Sequence, residues 1–459
     1  MKQKPLTTLN QGDIVELTIE SISNEGSGVA RVGDENFVIF VEDALPGEKI
    51  SCRVVQKKRT WASGKVLERK NTSEIRRTPL CPSALTCGGC THQHICYTYQ
   101  LETKKQTVKD ALERIGHFED FTLFDCKSSP SEFGYRNKAS IPVAWKNGKM
   151  LAGFYKKHSH YIVPFASCPV LTPRVEEICK NLLAEIERNK LCNVREIVVR
   201  SATNGTDSLA CVIMTRQPSK QEVETLKRIA KGLKQLTGLS ININEGGSNF
   251  IWGDKSINIY GSDTMRETLD GLTFTMEVSS FFQINSLQAE QLYKYVIELL
   301  NTGKEIKSNI LELYSGVGSL TCFLARAIRE TQNVLAVESW KPASKYITHN
   351  AKQNNLSNVR VMEMEAEDAV ELLEQKGEMN FDAVVLDPPR SGCDKRVLEA
   401  LIKISAQKII YVSCNPATLA RDAEILCQGG YKLISAKPFD MFPQTGHVET
   451  VVLMSRVDN

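Results

Sequence analysis

The chain has 459 residues, enough for about three domains of ordinary size. Its 42% hydrophobic and 24% charged residues exclude a disordered chain and fit a globular protein. The formal net charge of +3 excludes a uniform polycation, so any attraction to nucleic acid must be local. No stretch approaches the roughly 18 apolar residues that span a bilayer. The start lacks the apolar core of a signal peptide. A cytoplasmic protein is expected, with no membrane partner. Its 14 cysteines are then free thiols, metal ligands or catalysts rather than a disulfide framework.

Residues 13–68 read as short strands. Val15, Leu17 and Ile19 alternate with Glu16, Thr18 and Glu20. Turns are expected at Asn24-Glu25-Gly26, at 33–36 and at Pro46-Gly47, with further strands at 37–41, 50–55 and 64–67. This pattern predicts a small β-barrel. Lys57, Lys58, Arg59, Arg69, Lys70, Arg76 and Arg77 crowd the following segment. They are either an electrostatic footprint for phosphate or a solvated face. A linker at 71–80 leads to Cys81-Pro82 and Cys87-Gly88-Gly89-Cys90, with Cys168-Pro169 farther on. Four thiolates at one locus suit an iron–sulfur cluster or zinc, and spacing does not choose between them. Cys96 is a competing ligand. One helix is predicted over 97–117, with Leu101, Val108, Leu112 and Ile115 on its apolar face and Gly116 as its stop. Residues 126–270 alternate strand-like and helix-like pieces, with a helix near 173–188.

From about 271 a regular α/β series begins. Strands are expected at 310–313, 334–337, 359–362, 383–386 and 409–412, then at 431–438 and 448–455. The series predicts a parallel sheet covered on both faces. Leu313-Tyr314-Ser315-Gly316-Val317-Gly318-Ser319 follows the first of these strands and opens a helix. Its glycines let backbone approach a ligand, and no lysine follows, so it is not a P-loop. Glu338 ends the next strand, where an acid suits two ribose hydroxyls. Glu365 and Glu367 follow the third strand, where an adenine amino group could be met. Asp387-Pro388-Pro389-Arg390 ends the fourth strand in a stiff turn at the rim of the sheet. Arg390 stands where enzymes that methylate exocyclic base nitrogens usually carry an aromatic residue. Ser413-Cys414-Asn415-Pro416 ends the fifth strand and puts a thiol, a strong nucleophile as thiolate, at the same rim. If the last strand runs antiparallel, Glu449 joins Cys414 and Asp387 as a proton acceptor.

At these residues the chain closely resembles the RNA uracil-C5 methyltransferases of the TrmA/RumA family. The matching motifs are Ser280-Phe281-Phe282-Gln283-Ile284-Asn285, Leu313-Tyr314-Ser315-Gly316-Val317-Gly318, Asp387-Pro388-Pro389-Arg390-Ser391-Gly392, Ser413-Cys414-Asn415-Pro416 and His447-Val448-Glu449-Thr450. The resemblance implies S-adenosylmethionine as methyl donor, Cys414 as nucleophile and Glu449 as base. It implies donor contacts from Gln283, Tyr314, Glu338 and Asp387. Ser319 and Glu365 are added to that set, although the family often has Asp or Asn at 365 and a variable polar residue at 319.

Residues 6–68 look like a TRAM domain, an OB-like barrel that binds RNA. The cysteine spacing is similar to that of the family's ribosomal-RNA branch, which implies a [4Fe–4S] cluster on Cys81, Cys87, Cys90 and Cys168. Five residues follow Cys81 before the next cysteine, not the three of radical-SAM enzymes. Tyr135-Arg136-Asn137-Lys138 resembles a family segment that helps hold RNA. The expectation is therefore an α/β, class I (Rossmann-like) methyltransferase domain formed by 97–125 and 271–459. A TRAM barrel at 1–70 precedes it, and a central α+β domain at 71–96 and 126–270 carries the cluster. The expected substrate is a uridine of 23S ribosomal RNA, with tRNA as the alternative and a non-catalytic RNA-binding protein as a more distant one. The chain is expected to act as a monomer.

Overall fold

The computed structural model describes residues 9–33, 36–246, 250–303 and 305–457. Its first six strands are β1 (Ile14–Thr18), β2 (Ser21–Ile22), β3 (Gly28–Val32), β4 (Phe37–Glu42), β5 (Lys49–Lys57) and β6 (Trp61–Arg69). They form one sheet in the order β1-β5-β6-β4-β3-β2. Only Ile19 and Glu20 separate β1 from β2, and their amides donate to the carbonyls of Glu48 and Val29. One bent segment thus pairs with β5 on one side and β3 on the other, which closes the sheet into a barrel. Leu17, Ile39, Val41, Ile50, Cys52 and Val54 fill it. The turn expected at 33–36 includes Asp34 and Glu35, which lie outside the described residues.

The basic stripe divides. Arg76 donates to Glu48 (2.6 Å) and Asp43 (2.7 Å), and Arg69 pairs with the same two carboxylates. Arg77 pairs with Glu132 at 2.8 Å. Glu48 is wholly buried, because these arginines and the Leu45 amide satisfy it. Three of the seven cations are therefore paired within the barrel (Arg69), from linker to barrel (Arg76) and from linker to the 129–134 loop (Arg77) rather than facing solvent.

Helix α1 (Tyr97–Arg114) is shorter than expected, and its buried face differs. That face is Gln100, Lys104, Val108, Ala111 and Leu112, while Ile115 is exposed. Two polar side chains occupy it because both find buried partners, described below. β7 (Thr122–Leu123) follows. The central strands are β8 (Lys138–Lys146), β9 (Lys149–Tyr155), β10 (Ile162–Pro164), β11 (Val194–Ser201), β12 (Ser208–Met214), β13 (Gly238–Ile243) and β14 (Lys255–Gly261). They make a second sheet in the order β10-β9-β8-β11-β12-β13-β14. Helices α2 (Pro173–Arg188) and α3 (Lys220–Gly232) pack Ile178, Leu182, Leu226 and Ile229 against it. Thr172 caps α2 with Pro173 in the first turn, and Ser219 with Glu222 forms a capping box on α3. Only β12 and β13 pair parallel, with α3 as their crossover.

The hairpin β15 (Thr264–Leu269) and β16 (Leu272–Glu277) straddles residue 270 and buries Met265, Leu269, Phe274 and Met276 in the core of the last region. That region contains α4 (Ser286–Asn301), β17 (Asn309–Leu313), α5 (Ser319–Ala327), β18 (Val334–Glu338), α6 (Lys341–Gln353), β19 (Val359–Glu363), α7 (Ala366–Lys376), β20 (Phe381–Leu386), α8 (Lys395–Ile404), β21 (Lys408–Ser413), α9 (Pro416–Gln428), β22 (Tyr431–Phe439) and β23 (Glu449–Arg456). The sheet order is β19-β18-β17-β20-β21-β23-β22-β7. The five strands from β19 to β21 run parallel, and β23 runs antiparallel to both neighbours. All six residues of β21 are buried, as in a sheet covered on both faces. Strand order reverses between β17 and β20, the switch point where α/β sheets bind ligands. Among the described residues, no helix is long and apolar enough to cross a membrane.

Candidate active site

The crevice lies at the carboxyl ends of the parallel strands. Tyr314 leaves β17 with a left-handed backbone (φ 65°), and Gly316 and Gly318 follow with φ of 56° and 82°. A side chain at Gly318 would approach the Ile347 backbone to 3.0 Å, so glycine lets α5 start close against α6. Glu338, at the end of β18, accepts the amides of Gly316 (2.8 Å) and Trp340 (2.7 Å). Its carboxylate therefore holds the glycine turn. Gln283, Tyr314, Ser319 and Asp387 line one crevice together with Tyr293 and Glu312. Ser319 Oγ lies 3.0 Å from Tyr293 Oη. Tyr314 also borders an adjoining pocket of about 570 Å³, which contains Glu365 and Glu367. The structure thus brings five of the six expected donor contacts to two connected hollows and sets Glu338 behind the turn between them.

Cys414 follows β21 and Glu449 begins β23. The register pairs Ser413 with Thr450, so Cys414 and Glu449 are the next residues along the two strands. Asn415 fixes the thiol's loop: its Oδ1 accepts the Ala417 amide and its Nδ2 donates to the Arg390 carbonyl at 3.0 Å. Asp422 braces the same rim by accepting the Cys393 amide (2.8 Å) and the Tyr411 hydroxyl (2.7 Å).

The crevice concentrates like charge. Burial, the nearby Asp387 and a smaller opposing effect of Arg390 leave the buried Glu449 carboxyl well above its ordinary range. Burial pushes Asp387 up to about 7 and Glu312 up to about 8. Burial, then Glu449 and Asp387, push the Cys414 thiol up to about 11. Such a set holds a cation well, and a sulfonium in it would draw all of these values down.

Sequence reasoning missed the supports. Lys104 and Asp440 form an ion pair in which both side chains are buried. It ties α1 to the segment before Glu449. Gln444 is fully buried in the same segment. The sequence gives no signal for the pair, because its members lie 336 positions apart.

Cys81, Cys87, Cys90 and Cys168 line a separate cavity of about 150 Å³, together with Arg136 and Gln93. Backbone pairing closes it: Cys87 bridges Lys156, and the Gly88 amide donates to the Tyr155 carbonyl. Cys96 is not on this lining and sits at the start of α1 with its Sγ 3.5 Å from Thr98 Oγ1. Among the described residues, no three His, Cys, Asp or Glu side chains converge as a site for a single metal ion. The segment 135–138 faces two ways. Arg136 borders the thiols, whereas the buried Asn137 donates to Ser286 Oγ (2.9 Å) and the Gln283 carbonyl (3.3 Å). Lys138 Nζ lies 5.8 Å from the centre of the Trp252 ring.

The parallel sheet, the glycine turn at its switch point and the acid after the second strand define a class I S-adenosylmethionine-dependent methyltransferase fold with an N-terminal TRAM domain. The family described as tRNA (uracil-5-)-methyltransferase matches residues 96–457, and the TRAM domain matches residues 9–67. The chain belongs to the tRNA/rRNA uracil-5-methyltransferase family. An RNA methyltransferase of Halalkalibacterium halodurans is 34% identical over 98% of this chain and 99% of its own length. Another, of Caldanaerobacter subterraneus, is 36% identical over 97% and 99%. The crystal structure of Pyrococcus abyssi tRNA (uracil-54, C5)-methyltransferase with S-adenosyl-L-homocysteine matches at a TM-score of 0.74 and 26% identity. It covers 96% of this chain and 100% of that one. The protein is an S-adenosylmethionine-dependent RNA uracil-5-methyltransferase.

Proposed function

We propose that the chain forms 5-methyluridine in 23S ribosomal RNA through a covalent bond from Cys414. The observation that carries this reading is the meeting of Cys414 and Glu449 across the β21–β23 pair, beside the crevice of Gln283, Tyr314 and Asp387. S-Adenosylmethionine supplies an electrophilic methyl group when bound. Cys414 Sγ, as thiolate, adds to uracil C6, and the electron pair of the 5,6 double bond moves onto the C4 carbonyl as an enolate. C5 would then take the methyl group as the donor's S–CH3 bond breaks, with the sulfur leaving as a neutral thioether. Glu449 removes the C5 proton, the Sγ–C6 bond breaks, and the double bond and thiolate are restored. Gln283, Tyr314 and Asp387 would hold the donor, Glu338, which fixes the glycine turn, would meet its ribose hydroxyls, and Ser319 and Glu365 would add contacts.

Cys81, Cys87, Cys90 and Cys168 hold a [4Fe–4S] cluster in this reading. Four soft donors line one cavity of about 150 Å³, a set that suits an iron–sulfur cluster or zinc, and the likeness of the cysteine spacing to the ribosomal-RNA branch favours the cluster. The cluster shapes the RNA-binding surface and takes no part in electron transfer. The barrel at 1–70 and the central unit at 71–96 and 126–270 present RNA to the catalytic unit of 97–125 and 271–459, one chain acting alone. The cysteine set favours ribosomal RNA. The Pyrococcus abyssi neighbour acts on tRNA and favours tRNA as the second reading. Mapping 5-methyluridine in total RNA with and without the protein decides. Loss from 23S RNA supports the first reading, loss from tRNA the second, and loss from neither overturns both.

A further inference from the structure

Residues 440–448 connect β22 to β23 and form neither helix nor strand. Yet successive carbonyls of this strap are all claimed by other parts of the chain. Met441 accepts from Asn285 Nδ2 (3.1 Å), Phe442 from Lys104 Nζ (3.1 Å) and Pro443 from Tyr135 Oη (3.0 Å). The Gln444 carbonyl accepts two amides, from Thr91 (3.0 Å) and His92 (2.9 Å). These are the two residues that directly follow Cys90.

Gln444 itself is fully buried and holds a left-handed backbone with φ 71°. A residue with a side chain keeps that conformation only where its surroundings over-determine it. Here they do. Its Oε1 accepts from Arg77 Nη2 (2.7 Å) and Gln100 Nε2 (3.1 Å), and its amide donates to Gln100 Oε1 (3.0 Å). Its Nε2 donates to Glu132 Oε2 at 3.3 Å. Linker, cysteine loop, α1 and the 129–134 loop thus converge on one residue, five positions before Glu449. Two positions on, a side chain at Gly446 would stand 1.8 Å from the Asn24 carbonyl, so a barrel turn presses on the same strap.

We propose that Gln444 is a positioning residue that couples the thiol-ringed cavity to the carboxylate at 449. The loop after Cys90 grips its carbonyl, α1 and Arg77 grip its side chain, and the strap hands that position to Glu449. A metal group on the four thiols would then act on catalysis by fixing the strap, without touching RNA or donor. The inference rests on the roles proposed above for Glu449 and the cysteines.

The test uses the full chain, metal-loaded and folded, with Gln444→Ala and Gln444→Gly. The glycine variant takes a φ near 71° freely and so guards against a simple failure to fold. Both variants should keep wild-type metal content and KM values for RNA and S-adenosylmethionine within about threefold. Their kcat should fall about tenfold or more, because misplacement of a reacting group is costly. Proton removal would lag behind methyl transfer, so a covalent RNA–protein adduct stable to denaturing electrophoresis should accumulate. Loss of stability alone would lower the active fraction without raising the adduct fraction. In a second arm, amide exchange is followed before and after anaerobic chelation. Amides at 441–450 should speed up about tenfold on metal removal. Wild-type kcat without adduct in both variants overturns the positioning role. Strap exchange that ignores metal removal, while residues 87–92 speed up, overturns the coupling. A chain that takes up neither iron nor zinc overturns the cluster reading and the metal's part in this one, and the variants still decide the role of Gln444.

Discussion

The molecule has two hollows lined by groups that resist a shared negative charge, and they are built in opposite ways. In the crevice, Glu449, Asp387, Glu312 and Cys414 are all pushed up by burial, and Glu449, Glu312 and Cys414 also by neighbouring carboxylates. In the thiol cavity, burial is likewise the main cause, raising Cys90 to about 12 and Cys168 to about 11, with the other thiols adding to it. Each suits a positive partner: a sulfonium in one case and, in the proposed reading, a metal group in the other. The crevice hangs on strand ends of a regular sheet, so its geometry exists before any ligand arrives. The cavity hangs on loops and isolated bridges. Its shape should depend on what it binds. Preformed and ligand-dependent sites should therefore fail differently when damaged.

The largest effect should come from the preformed site. Cys414→Ala should lower methylation at least about 10³-fold, with donor binding and melting temperature unchanged, as read by single-turnover methylation and calorimetry. Retained turnover would remove the covalent mechanism. Next comes the frame that joins the two hollows. Lys104→Met leaves the buried Asp440 carboxylate without its cation. Breaking such a pair costs about 3–5 kcal/mol, which urea unfolding should detect. An unchanged midpoint would mean that the strap is not anchored through α1. The ligand-dependent site should respond more mildly in activity. Cys168→Ala should abolish bound iron and sulfide and lower methylation about tenfold, with melting of the 81–96 loop visible by proteolysis. An equal loss of activity in Cys168→Ala and Cys414→Ala would erase the distinction between the two hollows.

The same contrast decides what was legible in the sequence. Strand-end motifs such as Asp387-Pro388-Pro389 and Ser413-Cys414-Asn415 could be placed because apolar runs of four to six residues mark buried parallel strands. Joining Glu449 to Cys414 requires an antiparallel return of β23, and the register of Ser413 with Thr450 meets that condition. What could not be read were contacts made across the chain by polar groups. Hydrophobic periodicity put Leu101 and Ile115 on the buried face of α1, whereas Gln100 and Lys104 occupy it. Periodicity assumes that buried means apolar, and these two are buried against Gln444 and Asp440. Arg69, Arg76 and Arg77 misled in the same way. Local charge density suggests a phosphate footprint or a solvated face, but their partners Asp43, Glu48 and Glu132 come from the barrel and a distant loop.

The smallest expected effect sharpens the comparison most, because it concerns what the preformed crevice costs when empty. The folded-state pKa of Asp387 is about 7, above its value of about 4 in an unfolded chain. The folded protein therefore binds this proton more tightly. The stabilising contribution is complete below about pH 4 and is lost as the pH rises through 7. Glu449 is shifted the same way. At pH 8 the donor-free protein thus carries a buried Asp387 carboxylate that Asp387→Asn would relieve. Allowing for partial solvent access, the variant should be more stable than the wild type by about 1–2 kcal/mol at pH 8 and no more stable at pH 4. Its affinity for S-adenosylmethionine should fall, and saturating donor should flatten the wild type's pH slope by supplying the missing cation. Urea midpoints at the two pH values, with and without donor, are the measurement. Parallel curves for the variant and wild type would mean that the crevice is hydrated enough to carry its charges at no cost, and the electrostatic likeness between the two hollows would end there.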